Sequence, residues 1–463
     1  MKRFNYYFSL LKRALACEEL DYTKGKLSEG LWVLAIPMVL EMIGESVFAV
    51  VDVFWVGKLG ASAVAVVGLT ESVNTLVYAV GIGLSMGTTA MVARRIGEKN
   101  KRGARIAATQ AILLGAIASI PIALIGLFGP DWVLRSMGAS EATISGGAGY
   151  TQVLLSGNIV IIELFIINAI FRAAGDASLA MKSLWFANFF NLVLDPFLIF
   201  GWGPFPEMGV EGAAWATNIG RALGVLFQLV LLHRRGRINL RWIHWRWHQE
   251  VIWKLFRISL GGMGQFFVAT SSWIILIRIL APFGDQVLAG YTVAIRLLMF
   301  TILPAWGFSN AAATLVGQNL GAKELDRAEA SVWLSGKVNT VFLTSVGLVF
   351  FLFPEFMLRF LVDDPVILEH GVHCLRWVSL GYPFYALGMV LVQSFNGAGD
   401  TKTPTFLNFV CFWMTEIPLA ILLAQFVHVG PIGVYLAIAI SESFMTILAW
   451  WFFRKGSWKH IDV

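Results

Sequence analysis

Asp195 and Pro196 sit together in NLVLDPFLIFG, residues 191–201, an apolar run otherwise suited to hydrocarbon. Seven more acidic residues share that setting: Glu41, Glu45, Asp52, Glu71, Glu163, Glu416 and Glu442. Only the last two fall in the second half of the chain. An Asp at the centre of a membrane helix costs about 2.5–3.5 kcal/mol, so these groups should face a polar cavity, a partner or an ion rather than lipid. At about 100° per residue, Glu41, Glu45 and Asp52 form one stripe of one helix, with Pro37 on the same face. Asn191 and Asp195, four apart, share a face of a second helix, and Glu71, Asn74 and Tyr78 share one on a third. Pro196 has no N–H, which leaves the Leu192 carbonyl without its helical partner within a turn of the Asp195 carboxylate. Oxygens gathered in this way in low dielectric suit a proton or a small hard cation. The plainer reading makes Asp195 a hydrogen-bonding contact between helices. Glu41, Glu45, Glu71, Asn74, Tyr78 and Glu163 are expected to line a cavity, with Glu41 and Glu45 in a water-exposed vestibule near the cytoplasmic entry.

Composition identifies the medium these residues sit in. Hydrophobic residues make up 57% of the 463, charged residues only 14%, and mean hydropathy is +0.71, well short of the roughly 25% charge of a globular chain. The chain is therefore expected to be an all-α integral membrane protein. Spans of sufficient length fall at 31–57, 62–93, 104–128, 141–171, 178–200, 210–232, 252–281, 286–317, 328–353, 366–396, 404–427 and 431–453, twelve in all. The fourth and tenth are long enough to imply a kink, a tilt or an interfacial lead-in such as PDWVLRSMGAS. Lys and Arg concentrate on one set of loops, including 94–105, 234–246 and 454–459, while the opposite loops hold only Lys58, Arg135 and Arg359. This bias predicts a multi-pass protein of the cell membrane with both termini cytoplasmic. The net charge of +6 faces anionic lipid and calls for no nucleic acid. FNYYFSLLKRALA near the N-terminus is interrupted by Lys12 and Arg13, so it reads as a surface-lying helix rather than a signal peptide.

The chain also repeats itself. FRAAGD at 171–176 returns as FNGAGD at 395–400, and RRIGEKNKRGA at 94–104 returns as QNLGAKELDRA at 318–328, both at an offset of 224 residues. An even number of spans separates the copies, so the two halves share one topology. The expected division is a cytoplasmic N-terminal segment 1–30, an N lobe 31–233, a linker 234–251, a C lobe 252–454 and a tail 455–463. A duplicated chain builds its own pseudo-symmetric cavity, which points to a monomer.

Other motifs add little. Gly83 and Gly87, four apart, and GGMG at 261–264 suit close helix packing. Cys17, Cys374 and Cys411 are scattered, and His244 with His248, or His370 with His373 and Cys374, sit where solvated or interfacial side chains are ordinary. VGKLG and SGKVN lack the Ser or Thr of a phosphate-binding loop, so ATP is not expected to drive the protein, and no cofactor or enzyme chemistry is indicated.

Taken together, IPMVLE, VVDVFWVGKLG, RRIGEKNKRGA, FRAAGD, NLVLDPFLIFG, GVEGAAWAT and FNGAGDTKTPT resemble the multidrug and toxic compound extrusion (MATE) family over roughly residues 28–453. The resemblance implies a V-shaped pair of six-helix bundles that exports organic cations or amphipathic drugs in exchange for H⁺ or Na⁺. It carries the N-lobe cation site onto Asp52, Asn191, Asp195 and Thr217, with Na⁺ as one occupant of Asp52, Asn191 and Asp195, and the first-helix hinge onto Pro37. Another branch holds acids on the seventh and tenth helices, where this sequence has Gln265, Arg278, Glu369 and Arg376; the N lobe is therefore expected to carry the coupling. A flippase for lipid-linked oligosaccharides, a related architecture, is the rival reading. It would place the deep bases Arg278, Arg296 and Lys337 in the cavity.

Overall fold

Among the described residues, eleven helices are long and apolar enough to cross a bilayer, and a twelfth span is a pair bent by 56°. The computed structural model describes residues 2–16, 20–234, 237–240 and 245–463. Cys17 and His244 lie outside the described residues, as does part of the linker. The spans are α1 Leu27–Gly57, α2 Ala61–Gly97, α3 Lys101–Phe128, α4 Glu141–Ala174, α5 Ala177–Phe200 and α6 Val210–Arg234 in the N lobe. In the C lobe they are α7 Gln249–Leu280, α8 Asp285–Gly321, α9 Leu325–Leu352, α10 Pro365–Ser379 with Tyr382–Ala398, α11 Lys402–Phe426 and α12 Pro431–Lys455. A further helix, Lys2–Leu15, precedes them and packs Leu10 and Ala14 against Val33 of α1.

The repeat governs details as well as topology. The helical run of α4 is broken at Gly157 and that of α10 at Leu380–Gly381. Gly157 and Gly381 are equivalent at the 224-residue offset. Each glycine accommodates close packing, Gly157 against the Asn218 side chain and Gly381 against the Ala439 backbone. The interfacial lead-in is a short helix in both lobes, Pro130–Ser136 and Pro354–Leu358.

The lobes touch along one half of their inner helices. Gly83 of α2 lies against Met263 and Ser259 of α7, Gly87 lies against Ser259, and Gly262 reaches the Gly83 backbone at 2.9 Å from a would-be Cβ. Gly307 of α8 meets Val39 of α1. At the ends of α2 and α8 the repeated basic motifs meet reciprocally, Gly97 against the Gln318 carbonyl and Gly321 against the Arg94 carbonyl. These are equivalent pairs, and small residues there let backbones approach without side chains between them. The chain ends gather on the same side. Arg94 and Arg95 donate to the carbonyls of Ile461 and Val463 at 2.8 and 3.0 Å. Arg327 donates to the carbonyls of Tyr22, Lys24 and Gly25. Val47, Val50, Val53 and Phe54 of α1, together with Phe267, Ile274 and Ile277 of α7, are exposed apolar side chains. The cleft between the lobes is closed on the face that carries the termini.

Candidate functional site

A cavity of about 240 Å³ lies between the lobes above that closed contact. Its N-lobe wall includes Glu41, Glu45, Tyr78, Asn168, Arg172 and Arg221, and its C-lobe wall Trp306, Asn310, Gln393 and Asn396. The two walls have the same skeleton with different charge. In the N lobe, Arg172 Nη1 donates to Glu41 Oε1 at 2.6 Å in a buried ion pair. At the equivalent positions of the C lobe, Gln265 and Asn396 exchange amide hydrogen bonds of 2.9 and 3.1 Å. The amide network continues through Gln393 to Asn310. One wall is charged and its counterpart is neutral.

Burial of the ion pair requires a correction. Glu41 is 1% exposed and closed onto Arg172, so it is not in a water-exposed vestibule. Glu45 is partly open, and Arg221 of α6 donates to it at 3.3 Å while stacking on Phe48 at 5.0 Å. Arg172 and Arg221 are the charged cavity residues that the sequence reading missed, alongside Asn168 and the C-lobe side chains Trp306, Asn310, Gln393 and Asn396. Both count as ordinary basic residues when position along the chain alone is considered, and only the acidic stripe on α1 signals that buried partners are needed.

Beyond Arg221, away from the terminus-bearing face, lie the other acids of the N lobe. Asn191 and Asp195 of α5 and Thr217 of α6 come together. In the amide orientation that satisfies both ends, Asn191 donates to Asp195 Oδ2 at 3.2 Å and accepts from the Thr217 hydroxyl and N–H at 3.2 Å each. Asp195 is fully buried, with Pro196 inside the same helix. Asp52 is half-buried, and its charge reaches Arg221 and Asp195. Asn74 donates weakly to Glu71 at 3.5 Å, and Tyr78 packs edge-on against Phe165. Asn191, Asp195 and Thr217 thus gather oxygens one layer outward from the cavity wall, with Asp52 in electrostatic range of Asp195 and of Arg221, which is bonded to Glu45 of that wall.

Three expected cavity residues lie elsewhere. Glu71 and Asn74 are not in the wall. Glu163 is buried against Gly115 of α3, and neither of its carboxyl oxygens has a hydrogen-bond partner. Pro37 is buried inside α1, which runs unbroken through it. Arg278, Arg296 and Lys337 are exposed and outside the wall, so the cavity bases are Arg172 and Arg221, each facing a glutamate. Among the described residues no three His, Cys, Asp or Glu side chains converge as metal ligands.

A family model described as MatE matches residues 37–197 and 263–422, once in each half. A probable multidrug resistance protein NorM of Thermotoga maritima is 27% identical over 455 residues, covering 98% of this chain and 97% of the relative. Among solved structures, a MATE protein in complex with MaL6 superposes with a TM-score of 0.89 at 25% identity, covering 95% of this chain and 99% of that one. A MOP superfamily transporter from Pyrococcus furiosus, described as having a binding pocket of reverse polarity, gives 0.87 at 25% identity, with coverages of 95% and 98%.

Proposed function

The chain belongs to the MatE family, and from that premise we propose that it is a secondary active antiporter exporting organic cations or amphipathic drugs in exchange for H⁺ or Na⁺. It is a multi-pass membrane transporter, not an enzyme. The observation that carries the proposal is the pairing of a cavity between the lobes with a separate cluster of oxygens, Asn191, Asp195 and Thr217, that lies outward of the Arg221–Glu45 pair in the wall and within range of the Asp52 charge.

With the lobes closed on the terminus-bearing side, which the distribution of Lys and Arg makes cytoplasmic, the cluster takes its cation from outside. Neutralising Asp52 and Asp195 removes negative charge from around Arg221 and lets the guanidinium satisfy Glu45 and Glu71. The cavity wall then loses attraction for a cationic substrate, which leaves. Pro37, inside α1 between the two lobes, is the proposed point at which α1 adjusts to this change. Glu41 and Arg172 hold the floor of the cavity as a fixed pair, and the neutral C-lobe amides supply adaptable hydrogen bonds suited to a broad substrate range. Each inward cation contributes about 2.3 kcal/mol per 100 mV; an outgoing monovalent cation costs the same, so its export draws on the ion's concentration gradient or on a second inward cation, whereas a neutral substrate is driven by the potential as well. The chain is proposed to work as a monomer through its lobes, 31–233 and 252–454, joined by the linker 234–251.

Efflux of a fluorescent organic cation is measured in inverted vesicles with a pH gradient and a sodium gradient imposed separately. Uphill movement driven by one of them is expected. Movement that only runs down the substrate's own gradient, or transport confined to anionic lipid-linked sugars, would refute the proposal.

A further inference from the structure

Glu416 of α11 and Glu442 of α12 are buried acids that the N-lobe account leaves unused. Glu416 is 3% exposed, Glu442 is half-buried with Oε2 lacking any partner, and each lies within range of the other's charge. The described titratable groups that feel them are Tyr291 of α8, Tyr385 of α10 and Cys411 of α11. None of these is cationic.

Three observations place this pair in a site. At the repeat offset, Glu416 corresponds to Leu192 and Glu442 to Asn218, each one residue past Asn191 and Thr217 of the N-lobe cluster. The wall below adjoins the main cavity. Phe412 and Met445, one helical turn inward on the same faces of α11 and α12, line a C-lobe extension of the cavity of about 140 Å³ that shares Met86, Trp306 and Gln393 with the main chamber. Independently, the Ser272 hydroxyl of α7 is fully buried, faces Glu416, and has no protein partner in hydrogen-bonding geometry. Glu416 also ends a π-helical stretch, Phe409–Glu416, followed by Pro418. The missing Pro418 N–H frees a carbonyl one turn back, and π segments recur where backbone geometry serves a site. Asp195 of α5 also has a helix-interior proline close after it, directly at Pro196 rather than two residues on as for Glu416 and Pro418.

We propose that Glu416, Glu442 and Ser272 form a second monovalent-cation site, in the C lobe, on the repeat counterparts of the three helices that carry the N-lobe cluster. Two carboxylates without a counter-charge in low dielectric do not both stay ionised; the pair holds an exchangeable H⁺ or a Na⁺. This rests on the antiport reading, and doubles the coupling sites it supplies.

The test is carbodiimide labelling of the full-length protein in lipid nanodiscs with N,N′-dicyclohexylcarbodiimide, which modifies protonated buried carboxyls, across a pH series with and without NaCl. Adducts are located by peptide mass spectrometry. The expected result is an adduct on Glu416 or Glu442 that falls about tenfold per pH unit above its titration point, disappears in E416Q/E442Q, and persists in D195N. Suppression by Na⁺ but not by choline identifies sodium as an occupant, and no suppression identifies the proton alone. Absence of an adduct on both residues, or labelling that stays constant across pH and salt, overturns the proposal. Labelling at Asp195 in the same samples reports on the N-lobe reading separately, so the two can fail independently.

Discussion

The reciprocal contact of Gly97 with Gln318 and of Gly321 with Arg94 makes the closed state of the terminus-bearing face unusually sensitive to one methyl group. A Cβ at Gly97 would overlap the Gln318 carbonyl oxygen and stand 2.8 Å from its carbon; at Gly321 it would overlap the Arg94 oxygen and stand 3.0 Å from its carbon. Ordinary contacts begin at 3.4 Å, and both neighbours are backbone, which has no rotamer to move. Overpacking of this kind costs about 1–3 kcal/mol. Gly97→Ala or Gly321→Ala should therefore shift the balance away from the closed face by about 5- to 150-fold, while the double variant adds less than the sum because both sites report one approach of the lobes. Spin labels at Lys99 and Lys323, exposed at the tips of the two repeated turns, measure this by pulsed dipolar spectroscopy after replacement of the native cysteines. The distance distribution should gain a longer component in both single variants. Gly68→Ala, where a Cβ meets nothing within 4 Å, should leave it unchanged. Unaltered distances in Gly97→Ala and Gly321→Ala would refute the reasoning that this contact sets the closed face.

Arg172→Met should lower the thermal unfolding midpoint in detergent, since orphaning a buried partner costs about 3–5 kcal/mol; adding Glu41→Gln should restore much of the loss. Thr217→Val keeps the shape and deletes a hydroxyl, so the apparent affinity for the coupling ion should weaken by roughly 2- to 10-fold, from about 0.5–1.5 kcal/mol of hydrogen bonding. Truncation after Gly456 removes the carbonyl partners of Arg94 and Arg95 and buried Trp458, and should lengthen the same spin-label distances.

The sequence carried the architecture because its signals are periodic. Twelve apolar spans and a 224-residue offset are properties of residue order, and the broken fourth and tenth spans show as excess length. Gly83, Gly87 and GGMG were legible as packing glycines, and the structure sets Gly83 against Gly262 and Gly87 against Ser259 of α7. The proximity of Asn191, Asp195 and Thr217 was expected from the family resemblance. What stayed hidden depends on side-chain reach. Arg172 lies in FRAAGD close to a loop, yet its long side chain turns back into the bundle to meet Glu41, 131 residues away. Glu163 shares its helix with cavity residues but faces Gly115. The π-helical geometry of α11 is a backbone property that only Pro418 hints at.

Reconstituted proteoliposomes, loaded with fluorescent organic cation and given an opposing H⁺ or Na⁺ gradient, test the central claim most directly when wild type and Asp195→Asn are compared at equal protein incorporation. The account predicts uphill, gradient-driven substrate movement in the wild type and none in Asp195→Asn. Ion-driven accumulation by Asp195→Asn equal to that of the wild type would contradict it.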